Sequence, residues 1–216
     1  MHKNIDNLEG IKNKLKQFKI EIPYTPKIIA VSKTFELNHI QPLIDHGHMI
    51  YGENKVQEAK RKWEETQKQN SNLELHLIGG LQTNKAKDAV KTFKFIHSVD
   101  REKLINALAS AEVALAIRRK YFLQINTGGE DQKSGSNIET AFDLYQYAKS
   151  KLNIVGLMCI PPVDEPAKKH FEILCELSKK LNLSELSMGM SHDYIEAGLC
   201  GATYIRVGSK IFGKRG

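Results

Sequence analysis

KIIAVSKTF, residues 27–35, carries four apolar residues, Ile28 to Val31, straight into Ser32-Lys33-Thr34. A short unbroken apolar run bounded by polar residues reads as a strand buried on both faces. Lys33 then stands at the carboxyl end of a buried strand. The plain reading is a lysine that caps the strand and snorkels its ammonium to water.

Outward from this stretch the same pattern recurs. Apolar, β-favouring runs lie at 28–32, 49–52, 75–79, 95–98, 121–126, 154–158, 183–187 and 204–207, eight in all, the seventh the weakest. Helical patterns lie between most of them, at 54–68 with Val56, Ala59 and Trp63 on one face, 84–93, 101–111, 138–152 with Phe142, Tyr145 and Ala148, and 165–181 with Phe171, Leu174, Leu177 and Leu181. Parallel strands need such crossovers. Eight strand–helix units predict a single-domain (β/α)8 TIM barrel over residues 1–216 with Lys33 on its first strand, although an open doubly wound sheet shares the alternation. Residues 7–18, with Leu8, Ile11, Leu15 and Phe18 at helical spacing, predict an extra N-terminal helix.

A chain of 216 residues with 41% hydrophobic content suits one sizeable core. It has no apolar run near the roughly 20 residues that span a bilayer and no signal-peptide stretch at its start, so no membrane partner and a cytoplasmic location are expected. Cys159, Cys175 and Cys200 are far apart and form no CxxC pair, which points away from a disulfide framework or zinc site. The net charge of +7 is spread along mixed faces such as KVQEAKRKWEETQK rather than gathered in a stripe, and no nucleic-acid partner is expected.

In a barrel the carboxyl ends of the strands share one functional face. Here they supply Lys33, Gly52-Glu53-Asn54, Gly79-Gly80-Leu81-Gln82 with Asn84, Asn126, Met158, Ser187-Met-Gly-Met-Ser191 and Arg206-Val-Gly-Ser209. No matched carboxylate pair and no metal-binding triad is among them. Gly189 and Gly208 can be mere tight turns, yet SMGMS and RVGS together offer close backbone approach, hydroxyl donors and an arginine, the parts of a phosphate cup. Strands one and eight adjoin on closure, so a small phosphorylated aldehyde can bridge lysine and cup, and pyridoxal 5'-phosphate (PLP) is the obvious candidate for an imine on Lys33. Arg206 is expected to face either the phosphate or the pyridine nitrogen.

The same residues carry a resemblance. AVSKT, YGENKVQEAKRKW, LHLIGGLQTNK, HSVDREKL, QINTGGEDQKSG, GLMCIPP, LSMGMSHDYIEA and GATYIRVGSKIFG, in this order, resemble the YggS/PROSC family of pyridoxal phosphate homeostasis proteins over nearly the whole chain. The resemblance implies an alanine-racemase-type barrel, an imine on Lys33, phosphate contacts from Ser191, Gly208 and Ser209, and Arg206 and Asn54 beside the ring. It implies a carrier of PLP and related B6 vitamers, with PLP-dependent apo-enzymes as recipients, and no catalytic or metal-binding residue. Racemisation needs a second proton-transfer group, which in alanine racemases comes from an added β-domain; only nine residues follow the eighth strand here, so the carrier is favoured over a racemase and a monomer is expected. His76 and His97 read as packed, hydrogen-bonded histidines, Glu53, Gln57 and Glu58 as residues of a helix start, and Lys133 as loop charge or an aid to anion entry.

Overall fold

The computed structural model describes residues 2–18, 25–130 and 132–213. Eight strands, β1 (Lys27–Val31), β2 (Ile50–Glu53), β3 (Glu74–Leu77), β4 (Phe95–Val99), β5 (Lys120–Ile125), β6 (Ile154–Cys159), β7 (Glu185–Ser187) and β8 (Tyr204–Val207), form a closed parallel barrel in chain order. β1 closes on β8 with Ile29 beside Arg206 and Ala30 beside Val207, so the first and last strand ends are neighbours. The strands are buried almost throughout, as a parallel sheet covered by helices requires.

The alternative of an open sheet is therefore excluded. β7 is only three residues long, because Asn182, in the left-handed conformation at φ 54°, and Leu183, whose N–H bonds back to Ser178, still belong to the end of the preceding helix. Lys33 is not on the first strand: β1 ends at Val31, and Lys33 stands two residues further, in the turn that carries Thr34 at φ 69°.

The outer layer contains α1 (Lys3–Gln17), α2 (Leu37–Asp45), α3 (Val56–Gln69), α4 (Ala86–Thr92), α5 (Glu102–Leu115), α6 (Ala141–Lys149), α7 (Ala167–Lys180), α8 (Tyr194–Leu199) and α9 (Ser209–Phe212). Each buries one stripe, for example Val56, Ala59, Trp63 and Thr66 on α3 and Phe171, Leu174 and Leu177 on α7. The extra helix α1 packs Leu8, Ile11 and Leu15 inward and lies against α2, α8 and α9.

Two helices depart from the expectation. α2 fills a crossover where no helix was expected, burying Ile40, Leu43 and Ile44 around an internal Pro42. In α6 the buried stripe is Ala141, Leu144 and Ala148, leaving Phe142 exposed and Tyr145 half-buried. The helix starts at Ala141 rather than 138, and 141/144/148 and 142/145/148 are both helical spacings. Among the described residues no helix is long and apolar enough to cross a membrane.

Inside the barrel the side chains are unusual. Ile29, Phe95, Phe122, Met158 and Tyr204 make an apolar cluster of their own. His76 stacks on Phe95 at 4.3 Å between ring centroids, and His97 on Phe122 at 4.2 Å. Both histidines are fully buried.

Candidate functional site

At the carboxyl end of the barrel lies a cavity of about 280 Å³ lined by Lys33, Asn54, Ser191, Arg206, Gly208 and Ser209 together with Val31, Phe35, Ile78, Ile160, Met190, His192 and Gly213. All six residues singled out from the sequence thus border one space. The strand-end residues Gln82, Asn84, Asn126 and Met158 do not: Asn126 donates to the Glu130 carbonyl at 2.9 Å, and Met158 is buried in the barrel interior.

Lys33 is held from behind by α3. Glu53, completely buried at the end of β2, accepts from the Ser32 hydroxyl at 2.8 Å, from the Trp63 indole at 3.0 Å and from the Lys62 ammonium at 3.0 Å, all at Oε1. Lys62 also donates to the Ser32 carbonyl at 2.9 Å and lies 3.4 Å from Glu58, which accepts the Thr34 N–H at 2.8 Å. Burial raises the Glu58 carboxyl, but the Thr34 N–H and the Lys62 charge more than reverse this and leave it below its ordinary value. The backbone on both sides of Lys33 is thereby tied to one helix. The left-handed conformation of Thr34, worth roughly 1–2 kcal/mol of strain in a non-glycine residue, is offset by that Glu58 bond.

Asn54 owes its place to a glycine. A Cβ at Gly79 would collide with the Asn54 carbonyl and stand 2.8 Å from its Cα, so β2 and β3 can end this close only with glycine there. Gly208 lies against β1, where a Cβ would come within 3.2 Å of the Val31 carbonyl oxygen. Gly189 takes φ 86°, and its carbonyl accepts the Arg206 N–H at 2.9 Å, joining SMGMS to RVGS. The Ser191 hydroxyl lies 3.5 Å from the Lys210 N–H, at the rim beside Ser209.

Arg206 is the charged group buried at the floor, 4% exposed. Its guanidinium donates to the Ser187 hydroxyl and to the Cys159 carbonyl, both at 2.8 Å. Burial draws its pKa down, opposed by Cys159 and Asp193, but a guanidinium stays protonated in proteins. Burial also pushes the Cys159 thiol up to about 12, so it stays neutral. No carboxylate forms an ion pair with Arg206 among the described residues. A buried cation bordering a cavity and held only by neutral acceptors fits an electron-rich ligand with a ring nitrogen or an anionic group.

His192 borders the cavity with its ring 72% exposed, 3.2 Å from Asp193. Lys133 lies outside it: it pairs with Glu130 at 2.5 Å and lines a neighbouring depression of about 690 Å³, which shares Ile160, Met190 and His192 with the first. Sequence reasoning missed Phe35, Ile78, Met190 and His192 as lining residues. Phe35 and Met190 lie inside the stretches KIIAVSKTF and SMGMS, where the polar neighbours drew the reading. Among the described residues no cluster of potential metal ligands exists.

Three kinds of likeness bear on this site. The family model described as the alanine racemase N-terminal domain matches residues 7–216. The pyridoxal phosphate homeostasis protein of Aquifex aeolicus is 36% identical over 200 residues, covering 88% of this chain and 87% of that protein. PipY of Synechococcus elongatus, solved without PLP, superposes with a TM-score of 0.84 at 33% identity over 96% of this chain and 99% of its own. The PLP-bound structure of PipY gives 0.77 at 34% over 93% and 99%. With an eight-stranded closed barrel, an N-terminal extra helix and relatives matched along nearly their full length, the chain belongs to the YggS/PROSC family of pyridoxal phosphate homeostasis proteins, within the alanine racemase N-terminal domain family.

Proposed function

We propose that this chain is a PLP carrier, one domain over residues 1–216 that binds, buffers and hands on the cofactor in the cytoplasm, as a monomer and without efficient catalysis. The observation that carries the reading is the single cavity shared by Lys33, Asn54, Ser191, Arg206, Gly208 and Ser209. When bound, PLP supplies an electrophilic aldehyde and an electron-withdrawing ring. Lys33 would hold it as an imine, its amine condensing with that aldehyde with loss of water. Ser191, Gly208 and Ser209 would take the phosphate with hydroxyl and backbone groups at the rim. Asn54 would border the ring, and Arg206 would donate toward the ring nitrogen, keeping it unprotonated and weakening the ring's electron-sink character. The names of the relatives and the PLP-bound structure of PipY support this reading. PLP, related B6 vitamers and PLP-dependent apo-enzymes are its partners.

A PLP enzyme acting on amino acids is the second reading, favoured by His192, which gives the cavity a proton-transferring group besides Lys33. Two measurements separate the readings. The visible spectrum before and after borohydride, with peptide mapping, is expected to place the reduced adduct on Lys33, and Lys33→Ala to abolish it while weaker phosphate-held binding persists. Incubation of the loaded protein with L-alanine in deuterated water is expected to show hardly any exchange at Cα. Exchange or racemisation on the order of 1–10³ per second would establish the enzyme instead.

A further inference from the structure

The fully buried side chains of His76, His97 and Ser187 form an unbroken hydrogen-bonded line through the barrel to Arg206. His76 Nδ1 lies 2.9 Å from His97 Nε2, His97 Nδ1 lies 2.9 Å from Ser187 Oγ, and the Arg206 guanidinium donates to the same Oγ at 2.8 Å. At the far end His76 Nε2 faces Glu74 Oε2 at 3.8 Å. The residues come from β3, β4, β7 and β8, and Phe95, Phe122 and Tyr204 pack around the two rings.

The polarity of this line follows from counting protons. Arg206 has only donors, so Ser187 Oγ accepts from it. The Ser187 hydroxyl proton then needs an acceptor in a site closed to water, and His97 Nδ1 is the group at hand. A neutral His97 that accepts at Nδ1 carries its proton on Nε2 and donates it to His76 Nδ1. His76 in turn carries its proton on Nε2, toward the Glu74 carboxylate. The opposite polarity gives Ser187 Oγ two donors while its own proton has no acceptor, and turns a bare nitrogen lone pair of His76 toward a carboxylate. Burial lowers the pKa of His76, and of His97 far more, with the Arg206 charge adding to the effect on His97, so both rings stay neutral and the line keeps its sense.

We propose that His97, supported by His76, is a positioning residue for the cofactor site: by accepting the hydrogen bond of the Ser187 hydroxyl it fixes a serine lone pair on Arg206 and so sets the guanidinium at the floor of the cavity. The line does for Arg206 what a carboxylate does elsewhere, while leaving the arginine's charge unpaired for the ligand. Its distant negative end is Glu74, a half-buried residue at the opposite face of the barrel. This inference rests on the PLP reading for the identity of the ligand, but the polarity of the line does not.

The test has two parts. Long-range nitrogen–proton NMR on the ligand-free protein with labelled histidine is expected to show His76 and His97 both as Nε2–H tautomers and neutral at pH 7; an Nδ1–H tautomer or a charged ring at either position overturns the proposal. PLP titrations then compare His97→Phe, which keeps a ring to stack on Phe122, with His97→Asn, whose side-chain oxygen can replace Nδ1. His97→Phe is expected to weaken binding about tenfold, as loss of one hydrogen bond to a charged centre implies, and to shift the absorption maximum of the bound form, while His97→Asn stays within about threefold of the parent. Equal losses in both, or no loss in His97→Phe, would refute positioning. Should His97→Phe fail to fold, Ser187→Ala carries the same expectation with a smaller change of volume. A parent protein that binds no PLP at all would sink the carrier reading instead, and the tautomers would still judge the line.

Discussion

Lys62→Met is the substitution that most directly tests how Lys33 is held. The Lys62 side chain is 6% exposed and that of Glu53 is 0% exposed, so the methionine stem fills much the same space while the charge that balances Glu53 disappears. Removing one partner of a buried ion pair typically costs about 3–5 kcal/mol. The lower end applies here, because Glu53 Oε1 keeps the Ser32 and Trp63 donors, although Oε2 has no hydrogen-bond partner. About 3 kcal/mol in a domain of this size lowers the melting temperature by roughly 6–12 °C. The second variant, Lys62→Met with Glu53→Gln, removes both charges and keeps a side-chain oxygen for Ser32 and Trp63, so it is expected to recover more than half of the loss. Circular dichroism melts of the parent, both singles and the double close a mutant cycle. A Lys62→Met protein that melts within 2 °C of the parent, or a cycle that is strictly additive, would refute the clamp. Because the Ser32 carbonyl and the Thr34 N–H both depend on this cluster, the single variant is also expected to slow borohydride-trappable adduct formation at Lys33.

Three further outcomes are expected. Burial lowers the pKa of His48 to about 4 from its ordinary 6.5, so between these values the unfolded chain binds the extra proton; the stability it protects is complete above pH 6.5 and falls with pH, by about 1 kcal/mol between pH 6.5 and 5.5. Urea unfolding across that range is expected to show a shallower slope in His48→Gln, with His76 and His97, also lowered by burial, accounting for the part that stays. Gly79→Ala is expected to weaken PLP retention about tenfold or more by pushing the Asn54 backbone out of the cavity wall, which equilibrium dialysis reads directly. On the proposed phosphate contact, Ser191→Ala is expected to cost roughly 1.5–3 kcal/mol in PLP affinity with an unchanged melting curve of the ligand-free protein; unchanged affinity would take Ser191 out of the proposed contacts.

The parts of this fold that can be read in the sequence are those fixed by local pattern. Eight buried strands announce themselves as apolar runs, and α3 and α7 as stripes at helical spacing. α2 escaped because it is only nine residues long and carries Pro42, a residue that argues against a helix interior. The buried face of α6 is not legible from sequence because two stripes compete in it and only packing decides between them. The six cavity residues were accessible because a barrel gathers its strand ends by topology and the family resemblance picks these six from the larger set. The floor beneath them was not, since His76, His97 and Ser187 are separated by 21 and 90 residues and each reads singly as an ordinary core polar residue.

That floor also explains where this barrel departs from its own logic. Barrel interiors are usually filled by layers of branched aliphatic side chains, which bury area and leave no polar atom to satisfy. Here β3, β4, β7 and β8 instead send two imidazoles, a hydroxyl and a guanidinium inward, a choice that gives up apolar packing and desolvates a charge. Phe95 and Phe122 recover part of the loss by stacking on the imidazoles and Tyr204 by packing edge-on against His97, and the hydrogen-bonded line recovers more by leaving few of its polar atoms unpaired. The His76 Nε2 atom is the exception, buried without a hydrogen-bond partner and 3.8 Å from Glu74. If the line served stability alone, replacing His76, His97 and Ser187 by apolar residues of similar volume would lower it least with Arg206→Met included, because the cation that requires the line would be gone. A fourfold apolar variant that melts at or above the parent temperature yet no longer retains PLP would therefore assign the polar interior to the site rather than to the fold.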